Sequence, residues 1–204
     1  MKKGLLFVIS GPSGTGKGTV MKHLLETGEY FYSVSATTRA PRPEDKEGVT
    51  YYFVTREQFE EKIAAGEMLE YAQYSGNYYG TPKSAVEKAL AEGKNVILEI
   101  ETLGALQVRE KMPEAVLIFI LPPDIETLRA RLEGRGTETA EVIDLRMAQV
   151  KREVALLSRY DYAIVNENGK ALEAAEEIML IAHTERLLTK RNPELAKNFE
   201  EYIS

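Results

Sequence analysis

The sequence predicts an α/β fold: a parallel sheet core flanked by helices, with a β-rich insert and a helical lid. Three observations predict it. Short apolar runs alternate with helical periodicity, a glycine-rich turn ending in lysine follows the first run, and aromatic and β-branched residues between 33 and 84 interrupt the alternation. At 204 residues the chain suits one domain with mobile parts. The expected division is a core of 1–32, 85–124 and 158–204, an insert of 33–84 and a lid of 125–157.

Leu5-Leu6-Phe7-Val8-Ile9 is too short for a helix and reads as a buried parallel strand ending at Ser10. Gly11, Pro12, Ser13, Gly14, Thr15, Gly16, Lys17, Gly18 and Thr19 follow at once. The glycines let several N–H groups converge on one anion, and Lys17 adds a full positive charge. Val20, Leu24 and Leu25 then fall at helical spacing, so a helix N-terminus points at the same phosphate. Gly11, Gly16 and Lys17 match the phosphate-loop spacing, but Gly18 stands where Ser or Thr is usual. Without that hydroxyl, magnesium is expected to be held mainly by nucleotide oxygens and water, with Thr19 contacting phosphate. Nucleoside monophosphate kinases resemble this variant.

Tyr32 to Ser35 reads as a short strand, and Ala36 to Pro43 as an extended loop carrying Arg39 and Arg42. Val49 to Val54 has strand composition, and Thr55 with Gln58 resembles an N-cap opening a helix that ends near Gly66. Met68 to Tyr74 and Asn77 to Thr81 flank a turn at Ser75-Gly76. Helical periodicity returns from Lys83 to Glu92, then yields to a strand over Asn95 to Glu101 with carboxylates at its C-terminal end, the edge where open parallel sheets bind ligands. A helix follows Gly104-Ala105, and Ala115 to Leu121 is the next strand. Ile125 to Leu132 and Thr139 to Leu157 read as helices joined by an arginine-bearing hinge at Gly134 to Thr137. Tyr162 to Asn166 and Ala171 to Leu188 close the chain as strand and helix.

Composition excludes several classes. The net charge of −6 argues against a general nucleic-acid surface. No apolar run approaches the roughly 20 residues that span a bilayer, so no membrane segment is expected. Met1-Lys2-Lys3-Gly4 leads directly into the first strand, which predicts no cleaved leader and a cytoplasmic location. Zero cysteine excludes disulfides and thiolate chemistry, and two separated histidines, His23 and His183, make no metal site.

Phosphoryl transfer needs positioning and electrostatic stabilisation more than covalent chemistry. Arg39 and Arg42 suit an acceptor phosphate, because guanidinium forks bond phosphate oxygens bidentately, and Arg131, Arg135 and Arg146 suit donor phosphates from the lid. Over nearly its full length the chain resembles bacterial guanylate kinases, members of the P-loop NTPase fold. Besides Gly11 to Thr19, the resemblance rests on Ser35 to Arg42, on Glu70 to Thr81, on Ile118 to Pro123, on Arg131 to Thr137 followed by Arg146, and on Tyr160 to Asn166.

The resemblance implies transfer of the γ-phosphoryl group of ATP to GMP with Mg2+. It implies that Arg39, Arg42, Tyr51 and Tyr79 bind the GMP phosphate, and that Ser35, Glu70 and Thr81 recognise the base, making 33–84 a GMP-binding insert. One carboxylate such as Glu70 can accept from both guanine N1–H and the 2-amino group. Tyr74 and Tyr78 are expected to pack rather than bind. The family usually shows Glu or Asp, Ile, Asp, any residue, Gln and Gly where this chain has Glu99-Ile100-Glu101-Thr102-Leu103-Gly104, so Glu101 and Leu103 depart. The resemblance also counts Glu99 and Glu101 among the GMP-binding residues, with Glu101, which keeps the charge with one extra methylene, expected to reach guanine or a metal-bound water. The catalytic set is then Lys17, Arg39, Arg135 and Arg146, and the partners are ATP and GMP, with a homodimer left open. The alternatives are a ribose-bisphosphate phosphokinase, which has no need of guanine recognition, and a non-catalytic guanylate-kinase-like interaction module, marked by a degraded phosphate loop.

Overall fold

The computed structural model describes residues 3–74, 76–134, 139–195 and 197–198. The elements run β1 (Leu6–Ser10), α1 (Lys17–Glu26), β2 (Tyr30–Tyr32), β3 (Ala36–Thr37), β4 (Tyr52–Phe53), α2 (Arg56–Ala64), β5 (Met68–Tyr74), β6 (Asn77–Pro82) and α3 (Lys83–Ala91). Then come β7 (Asn95–Glu99), α4 (Thr102–Lys111), β8 (Val116–Leu121), α5 (Ile125–Glu133), α6 (Ala140–Val154), β9 (Tyr162–Val165) and α7 (Ala171–Leu187).

Among the described residues, five strands form a parallel sheet in the order β2-β7-β1-β8-β9. Its central strands are apolar throughout because both faces are covered. Phe7, Ile9, Ile97 and Ile118 pack toward Leu24 of α1 and Ile178 of α7, while Val8, Leu98 and Leu117 pack toward Val86, Leu90 and Val108 of α3 and α4. Crossovers through helices then bring the ends of β1, β7 and β8 to one edge, where the glycine-rich turn sits.

A second sheet has the order β4-β3-β6-β5. Its apolar face, with Tyr71 and Tyr78, packs on Phe59 of α2, which opens with a capping box between Thr55 and Gln58. A register shift between Met68 and Glu70 inserts an extra residue, and Leu69 plugs into the main core beside Val86 and Leu90. Glu70 is left on the opposite, polar face with its cross-strand partner Thr81.

Several boundaries correct the sequence reading. The strand expected over 32–35 ends at Tyr32, where the chain leaves the parallel sheet and re-pairs as β3 at Ala36. The strand expected over 49–54 is only Tyr52–Phe53, because the amides of Val49 and Thr50 turn back on the Lys46 carbonyl at 3.1 and 2.9 Å. Glu101 is not in a strand; it is the N-cap of α4. No helix among the described residues is long and apolar enough to cross a membrane.

Candidate active site

The chain leaves β1 through Gly11, which has φ 145° and sits where a Cβ would lie 2.2 Å from the Ile120 carbonyl oxygen. Gly16 caps α1 with φ 85°, and a Cβ there would lie 2.4 Å from Asn166 Nδ2. Neither position accepts a side chain. At Gly18 a Cβ would meet nothing within 4 Å, so packing does not forbid the missing hydroxyl. The N-terminus of α1 carries no side-chain cap, and its partial positive charge points toward the loop, where an anion would be favoured. Lys17 Nζ donates to the carbonyls of Gly11 at 2.5 Å and Pro12 at 2.9 Å, so the ammonium is tethered to the loop it serves.

Two arginines from α5 and α6 reach the loop. Arg146 of α6 donates to Ser13 Oγ at 2.9 Å. Arg131 of α5 donates to the carbonyls of Thr15 at 3.3 Å and Asn166 at 2.9 Å, and to Asn168 Oδ1 at 2.8 Å. Arg135 lies outside the described residues. Sequence reasoning missed Asn166, which is 4% exposed and donates from Nδ2 to the Thr15 carbonyl at 2.8 Å. Its only signal was an amide closing the last strand. Asn166→Ala is expected to cost about 1–2 kcal/mol and to lower the melting temperature by roughly 2–8 °C. An unchanged melting curve would remove Asn166 from loop support.

A cavity of about 690 Å³ opens beside the loop, bordered by Gly11, Lys17, Tyr51, Glu99, Glu101 and Arg146. Burial pushes the Glu99 carboxyl up, and the Lys17 charge partly offsets this. Glu101 is exposed and makes no side-chain cap bond. No group of three or more His, Cys, Asp and Glu able to hold a metal occurs among the described residues. Two carboxylates beside a phosphate loop nevertheless fit magnesium, which keeps water and phosphate oxygens rather than taking an all-protein cage.

Arg39 pairs with Asp45 at 2.8 Å and lies 5.5 Å from the Tyr51 ring centroid, while the Tyr51 and Tyr79 rings meet edge-on at 5.8 Å. The guanidinium is thereby held in place before any ligand arrives. Asp45 also accepts from the Arg42 amide at 2.7 Å, with the Arg42 side chain exposed nearby. The Ser35 carbonyl accepts from the Tyr52 amide at 2.9 Å, which brings Ser35 alongside this cluster.

Glu70 is 5% exposed, and its Oε1 accepts from Thr81 Oγ1 at 2.7 Å. Burial pushes its pKa up against the pull of the Thr81 hydroxyl. Tyr79 pairs with Ala72 in the same register, so Glu70, Thr81 and Tyr79 share one face of the second sheet. Tyr78 is a packing residue, stacked on Phe59 at 5.1 Å. Tyr74 departs from the packing expectation: it is 61% exposed and borders the cavity.

A family model described as guanylate kinase matches residues 3–181. The chain belongs to the guanylate kinase family. It is 54% identical over 191 residues to the guanylate kinase of Lactococcus lactis subsp. lactis (strain IL1403), covering 93% of this chain and 92% of the relative. With the guanylate kinase of Streptococcus pneumoniae (strain ATCC BAA-255 / R6) the identity is 53%, covering 93% and 91%. The crystal structure of guanylate kinase from Anaplasma phagocytophilum superposes with a TM-score of 0.74 at 36% identity, covering 93% of this chain and 90% of that one. Leu103, noted in the sequence as a departure from the pattern the resemblance implies, presents an apolar side chain that is 65% exposed.

Proposed function

We propose that the chain transfers the γ-phosphoryl group of MgATP to GMP, giving ADP and GDP. The observation that carries the choice of acceptor is the buried Glu70 carboxylate bonded by Thr81. Burying a charge is costly, and a ligand edge with two adjacent donors compensates it. Guanine has that edge; adenine, with an unprotonated N1, does not.

An oxygen of the GMP phosphate attacks the γ-phosphorus, the new O–P bond forms, and the bond to the β–γ bridging oxygen breaks as ADP departs. No protein nucleophile is needed. Residues 11–19 cradle the donor phosphates, with Arg131 and Arg135 as further ATP contacts. Lys17, Arg135 and Arg146 offset charge on the transferring group, and Arg39, Arg42, Tyr51 and Tyr79 hold the acceptor phosphate. Ser35, Glu70 and Thr81 read the base. Magnesium, when bound, neutralises and aligns the phosphates; Glu99 and Glu101 are the side chains that would hold its waters. The proposed moving parts are 33–84 and 125–157 on a core of 1–32, 85–124 and 158–204, and the proposed setting is the cytoplasm. The rival interaction module is disfavoured by the intact Gly16-Lys17 pair and by Arg146 reaching the loop.

A coupled assay with ATP, magnesium and each monophosphate tests the reading. GMP is expected to be the best acceptor and dGMP a weaker one, with AMP, CMP and UMP poor. Comparable rates for AMP and GMP would overturn the base assignment.

A further inference from the structure

We propose that one stripe of α4, formed by Gly104, Gln107 and Lys111, is the positioning device that sets the Glu70 carboxylate for its base; the proposal rests on Glu70 reading guanine. The three residues recur at intervals of three and four, so they project from one side of the helix. That side lies along β5, the edge strand of the second sheet. An edge strand presents backbone donors and acceptors that no further strand satisfies.

The helix supplies what a missing strand would. Gln107 Oε1 accepts from the Tyr71 amide at 3.2 Å, and Gln107 Nε2 donates to the Tyr71 carbonyl at 3.0 Å, so one side-chain amide copies both bonds of a strand partner. Lys111 Nζ donates to the Met68 carbonyl at 2.9 Å. Glu70 sits between these two anchors. The register shift between Met68 and Glu70 interrupts the ladder to β6 at this point, and the bonds from α4 hold the same segment along its other edge.

Gly104 completes the seat by what it lacks. A Cβ there would lie 2.7 Å from Glu70 Oε2 and 3.3 Å from its Cδ. The carboxylate therefore occupies space that any other residue at 104 would claim. Thr81 holds Oε1 from the opposite side at 2.7 Å, so the group cannot retreat without losing that bond. Gln107 and Lys111 thus place the strand, and Gly104 leaves room for the carboxylate. None of the three is proposed to touch a nucleotide; they act through Glu70.

The test uses Gln107→Ala and Gly104→Ala in the full chain, with the Michaelis constants for GMP and for ATP, turnover and thermal melting measured on each. Both variants are expected to raise the GMP constant about tenfold, equivalent to about 1.4 kcal/mol, while the ATP constant stays within about twofold. In a Glu70→Gln background, adding Gln107→Ala is expected to raise the GMP constant no further, since the group being positioned is already disabled. A full additional loss in that background would overturn the proposal. So would parallel rises in both constants with a collapsed melting curve, which assign the stripe a purely structural role. Should Glu70→Gln raise the GMP constant while neither α4 variant does, the positioning idea fails and the base reading stands. Should Glu70→Gln leave the GMP constant unchanged, the base reading itself fails, and the proposal falls with it.

Discussion

Lys17→Ala is expected to lower turnover about 10²–10³-fold, the usual loss when a preorganised group facing transition-state charge is removed. The lysine opens α1 directly behind the loop and borders the cavity with Glu99 and Arg146. Its ammonium donates to the carbonyls of Gly11 and Pro12, so it is anchored to the same backbone that cradles the phosphates. Removing it takes away those two bonds as well as the charge. The side chain is only partly buried, so the cost to folding is expected to be about 1–2 kcal/mol, or roughly 2–8 °C in melting temperature. Catalysis should therefore fail in a protein that remains folded. Kinetics beside thermal melting decide the point: near-native turnover in a folded variant removes Lys17 from the chemistry.

The loop was legible in the sequence because everything that makes it is local. An apolar strand, three glycines and a lysine lie within a dozen neighbouring positions, and the structure keeps them in that order as β1, turn and α1. The turn between β5 and β6 and the N-cap at Thr55 were legible for the same reason. The resemblance named Glu70 and Thr81 together with Ser35 as base readers; that Glu70 and Thr81 stand opposite each other comes from the cross-strand register.

What failed to show was decided at long range. Whether residues 32–35 continue one strand depends on when the chain stops pairing with β7 and starts pairing with β6, which strand propensity does not encode. Val49 has a good strand side chain yet lies in a turn at 63% exposure, because Gly48, at φ 68°, bends the backbone there. Asn166 and Gln107 looked like ordinary amides. Their roles come from partners 151 and 36 residues away along the chain, Thr15 and Tyr71, and only the assembled sheets bring those together.

Glu70→Gln is expected to weaken GMP recognition about 5- to 150-fold, the value of a bidentate contact to a base edge at roughly 1–3 kcal/mol, and to leave ATP binding nearly unchanged. The neutral amide loses one charged acceptor and turns a donor toward guanine donors. Stability should move the other way. Burial holds the folded-state pKa of Glu70 above its ordinary value, so the folded protein binds that proton more tightly than the unfolded chain does. The resulting penalty is absent below the unfolded pKa, grows as pH rises toward the folded pKa, and is fully present above it. Above the unfolded pKa the wild-type Glu70 therefore costs stability that the uncharged Gln does not, and the variant should melt at or above the wild-type temperature. The same shift makes GMP affinity fall as pH drops through the raised pKa, because a protonated Glu70 offers one acceptor fewer; the variant should lack that dependence. Separate titrations with GMP and a non-hydrolysable ATP analogue across pH, together with melting curves, read all three effects. Equal losses for both nucleotides with a lowered melting temperature would mean that Glu70 serves the fold, and unchanged GMP binding would mean that another group reads the base.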